Sequence, residues 1–329
     1  MRSVVCFLLT VLAASAAVEG VVTNQTTGKP QGNVTVTLVE LGSGMKTVGI
    51  VQSAPDGKFT FDTTMQAGAP YLLQALHQSV NYNRMLPPGT PGTDLTVDVY
   101  NASATAGDAQ VSQDMFLLEP SGAEMVVSER IVFTNPGNVT YLDPSGTVKF
   151  FVPSGVAGPV QVRIVAPQGM PINRQAEQSA DPNIYLIRYP MKPGETNIDI
   201  AYSMPMSGDT VAFEGKVLHR GGPIRFVAPS GVKLEGPFED AGPIPGTSAM
   251  AYTLKGREFA VTVTGRGSLR ASVNAPGGES EEAGPGIDAR KPLIYEKLPW
   301  VLTLAGAMLA VGFVLLLRRP APVSLRSKH

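Results

Sequence analysis

The chain has three histidines, and they are the first side chains to examine for chemistry. His329 ends the chain, while His77 and His219 are far apart and belong to no His-Glu-x-x-His zinc motif. No Gly-x-Ser-x-Gly elbow is present to expose a nucleophilic serine. Each internal histidine is therefore expected to be an exposed strand or loop residue, although a Ser-His-Asp triad assembled from distant residues stays open.

Cysteine and carboxylate side chains add no catalytic or metal-binding motif. The only cysteine, Cys6, lies in a segment with the pattern of an export signal, so the mature chain has too few ligands for a Cys/His zinc site. Glu279, Glu281 and Glu282 cluster in a Gly/Pro-rich stretch where nothing would hold them in a fixed geometry. Paired carboxylates for glycoside cleavage stay open elsewhere, but the sequence predicts no enzyme, no cofactor and no catalytic residue.

Methionine and tyrosine side chains are weak candidates for binding sites. The segment YSMPMSGD places Met204 and Met206 two residues apart, and thioether sulfurs suit Cu(I), but methionine is also ordinary core filler. A sugar site would need flat aromatic side chains on the surface. Tyr82, Tyr100 and Tyr141 are candidates for it, and the commoner alternative is that they are buried strand tyrosines.

The elements that would position these side chains are β-strands almost throughout. The segment NVTVTLVEL places Val34, Val36 and Leu38 on one face, and DLTVDVY, TNIDIAY and EFAVTVTG alternate in the same way. A period of two predicts strands with one buried and one wet face. No sustained helical period occurs before Leu298.

The tripeptide Pro-Ser-Gly recurs as a turn signal. It begins at Pro120, Pro144, Pro153 and Pro229. Proline presets φ for the second position of a type I turn, serine suits the third, and glycine relaxes the fourth. The recurrence indicates a common strand-end turn or a faint internal repeat.

Residues 18–105 contain an ordered set of short motifs. They are Gly20-x-Val22, Thr27-Gly28-Lys29-Pro30, Val34-x-Val36-x-Leu38, Asp56-Gly57-x-Phe59-x-Phe61 and Tyr71-x-Leu73-x-Ala75. In order and spacing they resemble the carboxypeptidase regulatory-like, or transthyretin-like, β-sandwich family. The resemblance implies a seven-stranded Greek-key sandwich that serves as a folding or docking module without catalytic residues. The Asp56-Gly57 pair is predicted to form a two-residue hairpin turn in which Gly57 has a positive φ.

After Tyr100 the resemblance fades. Residues 110–273 are predicted to be a second β-sandwich region, either one large domain or two small ones, similar in motif order to uncharacterised membrane-anchored bacterial proteins. The predicted fold class is all-β, with tandem Greek-key or immunoglobulin-like sandwiches and one C-terminal transmembrane helix. Residues 274–297, rich in Gly, Pro and Glu, are predicted to be a flexible tether, with an ordered edge loop as the alternative.

The C-terminal apolar segment is long enough to cross a membrane. From Leu298 to Leu317 it has no charged residue, and about 20 helical residues span the roughly 30 Å of bilayer hydrocarbon. An acid-free basic tail follows at residues 318–329, as is typical of the cytoplasmic side. A buried helix of a soluble core is the alternative. Gly306 and Ala310 lie four residues apart, which indicates weak self-association in the membrane.

Residues 1–17 have the layout of a secretory signal, with a positive charge, a short apolar run and small residues before the cleavage position. An uncleaved anchor is the alternative. Cleavage would leave the chain without cysteine and therefore without disulfides, which favours a bacterial envelope over a eukaryotic ectodomain. Asn-x-Ser/Thr triplets keep the eukaryotic option open. They begin at Asn24, Asn33, Asn101 and Asn138.

These segments predict a single-pass protein of the inner (cytoplasmic) membrane, with its body in the periplasm or outside the cell and its C-terminus in the cytoplasm. A formal net charge of -1 gives no attraction to nucleic acid. The leading hypothesis is a non-catalytic, membrane-tethered interaction or assembly protein of the bacterial envelope that contacts other envelope proteins. The second is a surface ligand-binding module for carbohydrate or, less favoured, copper, and a hydrolase ranks last.

The predicted topology can be tested with protease. Added to spheroplasts, protease should digest the body and spare a small C-terminal fragment, because the membrane shields residues 298–317. The first cleavage is expected in the tether, where few backbone groups would be protected. Immunoblots against an epitope placed after His329 report the fragment. Loss of that epitope while the body survives would show the reverse orientation.

Overall fold

The structure, a computed structural model, describes residues 17–42 and 44–269. All regular secondary structure in these ranges is β-strand, which confirms the all-β prediction. Across the described residues there is no helix long and apolar enough to span a membrane. The predicted tether, membrane helix and basic tail, and all but the last residue of the predicted signal, lie outside these ranges.

The N-terminal β region consists of two sheets and a short linking strand. Its strands are β1 (Val18–Asn24), β2 (Lys29–Pro30), β3 (Thr35–Leu41), β4 (Met45–Gln52), β5 (Lys58–Phe61), β6 (Tyr71–His77), β7 (Val80–Leu86), β8 (Leu95–Val99) and the linking strand β9 (Ala102–Ser103). The first sheet is antiparallel, in the order β4-β3-β6-β7. In the second sheet, β1 pairs antiparallel with β2 and β5 and parallel with β8.

Alternation along these strands places apolar residues between the two sheets. Val36 and Leu38 of β3, Leu73 of β6, and Phe59 and Phe61 of β5 are all buried. They belong to one hydrophobic cluster. Fully burying a side chain of this size contributes about 1.5–3 kcal/mol, so this cluster holds the two sheets together.

The second β region begins at Gln110. Its strands are β10 (Gln110–Ser121), β11 (Glu124–Asn135), β12 (Thr140–Tyr141), β13 (Val148–Phe151), β14 (Ala157–Val165), β15 (Ile172–Gln175), β16 (Glu177–Gln178), β17 (Ile184–Ile187), β18 (Gly194–Pro205), β19 (Thr210–Lys216), β20 (Ile224–Ala228), β21 (Val232–Glu235), β22 (Phe238–Pro243), β23 (Met250–Leu254) and β24 (Glu258–Gly265). An eight-stranded sheet has the order β15-β14-β18-β11-β10-β20-β23-β22. Two three-stranded sheets, β13-β17-β16 and β19-β24-β21, complete the region.

One hydrophobic cluster joins these three sheets of the second region. Phe116 of β10 stacks on Phe226 of β20 with 4.9 Å between ring centroids. Phe213 of β19 and Phe259 of β24 meet Phe116 edge-on at 6.0 Å and 5.6 Å. Aromatic pairs in such geometries contribute about 0.5–1.5 kcal/mol beyond their buried area, so the rings fix the small sheet against the large one.

Hydrogen bonds join the two β regions. Strand β9 pairs in parallel with β12. The Tyr82 hydroxyl lies 2.8 Å from the carbonyl oxygen of Tyr100 and 2.8 Å from Thr140 Oγ1. The Lys192 ammonium group donates to the carbonyl oxygen of Asn81 and lies 5.2 Å from the centroid of the Tyr82 ring. Burial lowers the pKa of Lys192 to about 8, which marks this junction as a packed interface.

The Pro-Ser-Gly motifs all end in a glycine of positive φ, but their turns differ. These glycines are Gly122, Gly146, Gly155 and Gly231. In one turn Gly146 N donates to Asp143 O, so Pro144 occupies the second position, as predicted. In another, Val232 N donates to Pro229 O, so the proline is the first residue of the turn. The tripeptide therefore marks a turn without fixing its type.

The turn at Asp56-Gly57 differs from its prediction. Gly57 has a φ of +80°, as expected, but Asp56 does not have a positive φ, which a two-residue type I′ turn requires at both positions. Instead, Gly57 N donates to Ala54 O at 2.8 Å. Ala54 N also donates to Lys58 O at 2.8 Å, so the loop has three residues, 55–57, and ends in a left-handed glycine. The prediction of a two-residue hairpin is therefore wrong.

A matched pair of glycine variants tests how closely this turn is packed. A Cβ at Gly57 would lie 2.7 Å from Val22 O and 2.8 Å from Pro30 Cβ, whereas a Cβ at Gly28, φ +69°, would meet nothing within 4 Å. Both alanine variants incur backbone strain of about 1–2 kcal/mol, but only Gly57→Ala adds a clash. Urea unfolding should show a loss of about 2–4 kcal/mol for Gly57→Ala and a clearly smaller loss for Gly28→Ala. Equal losses of stability in the two variants would mean that β1 shifts away from the new Cβ without an energetic cost.

Candidate functional site

Two of the three candidate tyrosines lie at the junction between the β regions. Tyr82 is buried, and both partners of its hydroxyl belong to the junction. Burial raises the pKa of Tyr82 to about 12. The ring of Tyr100 lies 5.7 Å from the ring of Tyr82 at 45°. The structure therefore places Tyr82 and Tyr100 in packing contact with each other and not side by side on an open groove.

Tyr141 lies apart from the other two, beside a cleft in the second β region. Its ring stacks on Phe133 with 6.1 Å between centroids and 19° between planes. The cleft has a volume of about 290 Å³, and we call it the His219 cleft. The lining residues that matter for its chemistry are Tyr141, Asp143, Thr147, Lys149, His219 and Arg220.

His219 is paired with a buried carboxylate. Its Nε2 atom lies 2.8 Å from Asp114 Oδ2, and the side chains of His219 and Asp114 are 11% and 0% exposed. The expectation of an exposed histidine is therefore wrong for His219, because Asp114 provides a buried partner. His77 is partly exposed and lies 3.2 Å from Asn101 Oδ1.

The sequence around Asp114 indicates that this residue is buried. Asp114, Phe116 and Leu118 alternate along β10, and all three are buried. An acidic residue on the apolar face of an alternating strand needs a partner in the core. Burial raises the pKa of Asp114, and the hydrogen bond and charge of His219 lower it by a smaller amount.

A diagonal of polar side chains crosses the core face of the eight-stranded sheet. Asp114 on β10, Glu129 on β11 and Tyr202 on β18 are each offset from the next by two residues of strand register. Diagonal neighbours lie about 7–8 Å apart, within reach of long side chains. Asp114 Oδ1, Glu129 Oε2 and the Tyr202 hydroxyl are buried and have no hydrogen-bond partner among the described residues. The core face of the sheet therefore contains three polar side chains that each have a polar atom without a hydrogen-bond partner.

The electrostatics of this group favour a neutral Glu129. Burial raises the pKa of Glu129 well above its usual range, and the charge of Asp114 raises it further. The pKa of Tyr202 is raised by burial and then by the charges of Glu129 and Asp114. Proton uptake by Glu129 relieves the repulsion between two carboxylates in a medium of low polarity.

The candidate methionines lie within or against the hydrophobic cluster of the second region. Met204 is buried on β18 opposite Met125 of β11, and Met206 is partly buried against the same cluster. In the part of the chain that the structure describes, no three His, Cys, Asp or Glu side chains are placed to share a metal ion. Both methionines thus occupy core-filling positions.

The most exposed large apolar side chains of the N-terminal region share one sheet. Met45 and Ile50 of β4 are 63% and 64% exposed, and Leu76 of β6 and Met85 of β7 are each 43% exposed. We call these four residues the β4 surface. Sequence reasoning missed this surface because the bulge at Val48 determines which face of the sheet Ile50 occupies, and the sequence pattern does not reveal the bulge.

Neither the protein-family models nor the curated proteins include a match to this chain. The resemblance to carboxypeptidase regulatory-like domains therefore stays a prediction.

The buried carboxyl of Glu129 should make stability depend on pH. The unfolded chain releases this proton near the ordinary glutamate pKa of about 4.3, whereas the folded protein retains it to higher pH. Stability should fall as pH rises above about 4.3, by up to about 1.4 kcal/mol per pH unit, until the raised folded pKa is passed. Glu129→Gln, which cannot ionise, should flatten this part of the profile and be more stable than the parent at pH 7.

Urea unfolding of parent and variants between pH 4 and pH 8 measures this effect. Glu124→Gln on the same strand is the control, because Glu124 is exposed and its replacement should leave the profile unchanged. If the profile of Glu129→Gln ran parallel to that of the parent, the buried carboxyl would titrate as it does in water.

Proposed function

We propose that this chain is a non-catalytic, membrane-tethered interaction protein of the bacterial envelope, and that its N-terminal region pairs with a second copy along β4. The N-terminal region would be the carboxypeptidase regulatory-like sandwich, and the second region a Greek-key or immunoglobulin-like sandwich. The helix predicted at residues 298–317 would hold both outside the cytoplasm. The open edge of β4 is the observation that carries the proposal.

Strand β4 ends its sheet, and within the described residues it pairs with β3 alone. At the opposite edge of the same sheet, Arg84 of β7 donates to Thr96 of β8 and ties that edge to the second sheet. An uncovered edge presents backbone N–H and C=O groups to an added strand. The β4 edge is therefore the less obstructed of the two edges of this sheet for an extended segment.

The register of β4 makes a second copy a suitable occupant. The pairing with β3 skips Val48, which forms a bulge, so Met45, Thr47, Ile50 and Gln52 share the outer face of the sheet. An antiparallel copy of β4 can then place Thr47 opposite Ile50 and Met45 opposite Gln52, with matching faces. Two-fold symmetry of this kind produces a closed dimer.

Charge is compatible with the same pairing. Lys46 is the only charged residue of β4, and in this register it lies opposite Val51 and not opposite another lysine. Like charges directly across a strand pair would be destabilising. A lysine and a bulge also protect edges against pairing in other proteins, so the experiment must distinguish pairing from protection.

Disulfide trapping in intact membranes tests the register. The full chain with Thr47→Cys and Ile50→Cys together should form a covalent dimer on mild oxidation, because each new cysteine faces the other kind in the second copy. The only native cysteine, Cys6, lies in the predicted signal. Non-reducing gels measure the dimer fraction.

The single variants Thr47→Cys and Ile50→Cys are the matched controls, since neither faces itself in this register. Adding Ile50→Lys to an otherwise parental chain should reduce the dimer recovered by chemical crosslinking. If the double variant and both single variants all remained monomeric on non-reducing gels, β4 would be an edge protected against pairing. Dimers from the single variants would show association in another register.

A further inference from the structure

The His219 cleft has two polar atoms that the described residues leave without a hydrogen bond. They are His219 Nδ1 and Thr147 Oγ1, both buried, and both residues line the cleft. Thr147 is 7% exposed. A buried polar atom without a partner is destabilising, and in a folded protein it needs an explanation, such as an ordered water or ion.

The pairing with Asp114 determines what these atoms can bind. When a neutral His219 ring donates its Nε2–H group to the Asp114 carboxylate, Nδ1 retains a lone pair and accepts a hydrogen bond. The Thr147 hydroxyl can both donate and accept. Because both atoms are closed to a water-sized group in this structure, a ligand hydroxyl can donate to His219 Nδ1 and accept from Thr147 only when the cleft lining opens to admit it.

The rim of the cleft carries two cationic side chains and one carboxylate, Asp143. Lys149 and Arg220 are exposed. Arg220 makes no hydrogen bond or ion pair with any described residue. The carboxylate of Asp143 accepts from Ser145 N at 2.8 Å and Ser145 Oγ at 2.7 Å. These bonds and the charge of Lys149 lower its pKa, so Asp143 already attracts Lys149. Arg220 is thus free to bind a carboxylate through two parallel hydrogen bonds.

The wall of the cleft contributes an aromatic surface. Tyr141 is partly buried, and its stacking on Phe133 holds the ring in one orientation. A fixed ring suits the C–H face of a sugar ring. The cleft volume of about 290 Å³ lies just below the range for small-molecule sites, about 300–1,000 Å³, so the ligand must be small.

From these residues we infer that the His219 cleft binds a small hydroxylated carboxylic acid of monosaccharide size, of the uronic acid class. Arg220 and Lys149 bind the carboxylate, Thr147 and His219 bind a hydroxyl group, and Tyr141 packs against the ring. Asp114 is a positioning residue that orients the imidazole. The site is separate from the β4 surface and does not depend on pairing between copies.

Calorimetric titration of the full chain in detergent tests the inference with three probes. Sodium glucuronate should bind saturably at one site per chain. Glucose, which lacks the carboxylate, should bind at least tenfold more weakly, and sodium acetate, which lacks the hydroxyl groups, should not bind measurably. Arg220→Gln should weaken glucuronate at least tenfold without changing glucose binding, whereas Thr147→Val should weaken both.

Two controls separate binding from folding and from general charge. Thr147→Val keeps the side-chain volume and removes a hydroxyl that has no partner in the described residues, so its thermal unfolding should occur at or above the temperature of the parent. Lys46→Gln removes one positive charge far along the chain and should leave glucuronate binding unchanged. Absence of saturable glucuronate binding, acetate binding of equal strength, or parental affinity in both cleft variants would each overturn the inference.

Discussion

The second β region depends on the register of its three longest strands, β10, β11 and β18. Strand β11 pairs with β18 from Glu124 opposite Pro205 to Asn135 opposite Gly194 without a break. In a sheet with one buried face, a slip of one residue would turn every core side chain outward. The same register brings Phe116 to the aromatic group of the core and Asp114, Glu129 and Tyr202 onto one diagonal. The same strand register therefore determines both the aromatic packing and the position of the buried polar side chains in this region.

A polar diagonal inside a core has an energetic cost that the surrounding apolar residues must offset. Two carboxyl groups share the core with one tyrosine and one histidine, and several of their polar atoms have no partner in the described part of the protein. Replacement by apolar residues would relieve that cost in many cores. His219 also lines a cleft. The cost of burying Asp114 is therefore understandable if Asp114 orients His219 for binding at that cleft.

Local sequence determined the strands well and the long-range contacts poorly. Alternation correctly indicated the burial of Val36, Leu38 and Phe61, because one strand face suffices for that inference. It did not reveal the partner of His219, which is 105 residues away in the chain. The turn between β6 and β7 also has no glycine, asparagine or aspartate, although Gln78 and Ser79 both have positive φ. Its geometry follows from strand pairing and the junction, which single-sequence patterns do not contain.

The order of the strands has a consequence for how the chain is produced. Strand β1 pairs with β8, from Gly20 opposite Leu95 to Asn24 opposite Val99, and β10 pairs with β20. Since synthesis delivers the N-terminus first, β1 stays without its parallel neighbour until Val99 has emerged, and β10 waits longer still for β20. Contacts of such sequence separation form slowly, and unpaired apolar strands aggregate in the interval. The strand order, more than the composition, therefore determines how long a newly made chain is exposed to aggregation with other chains.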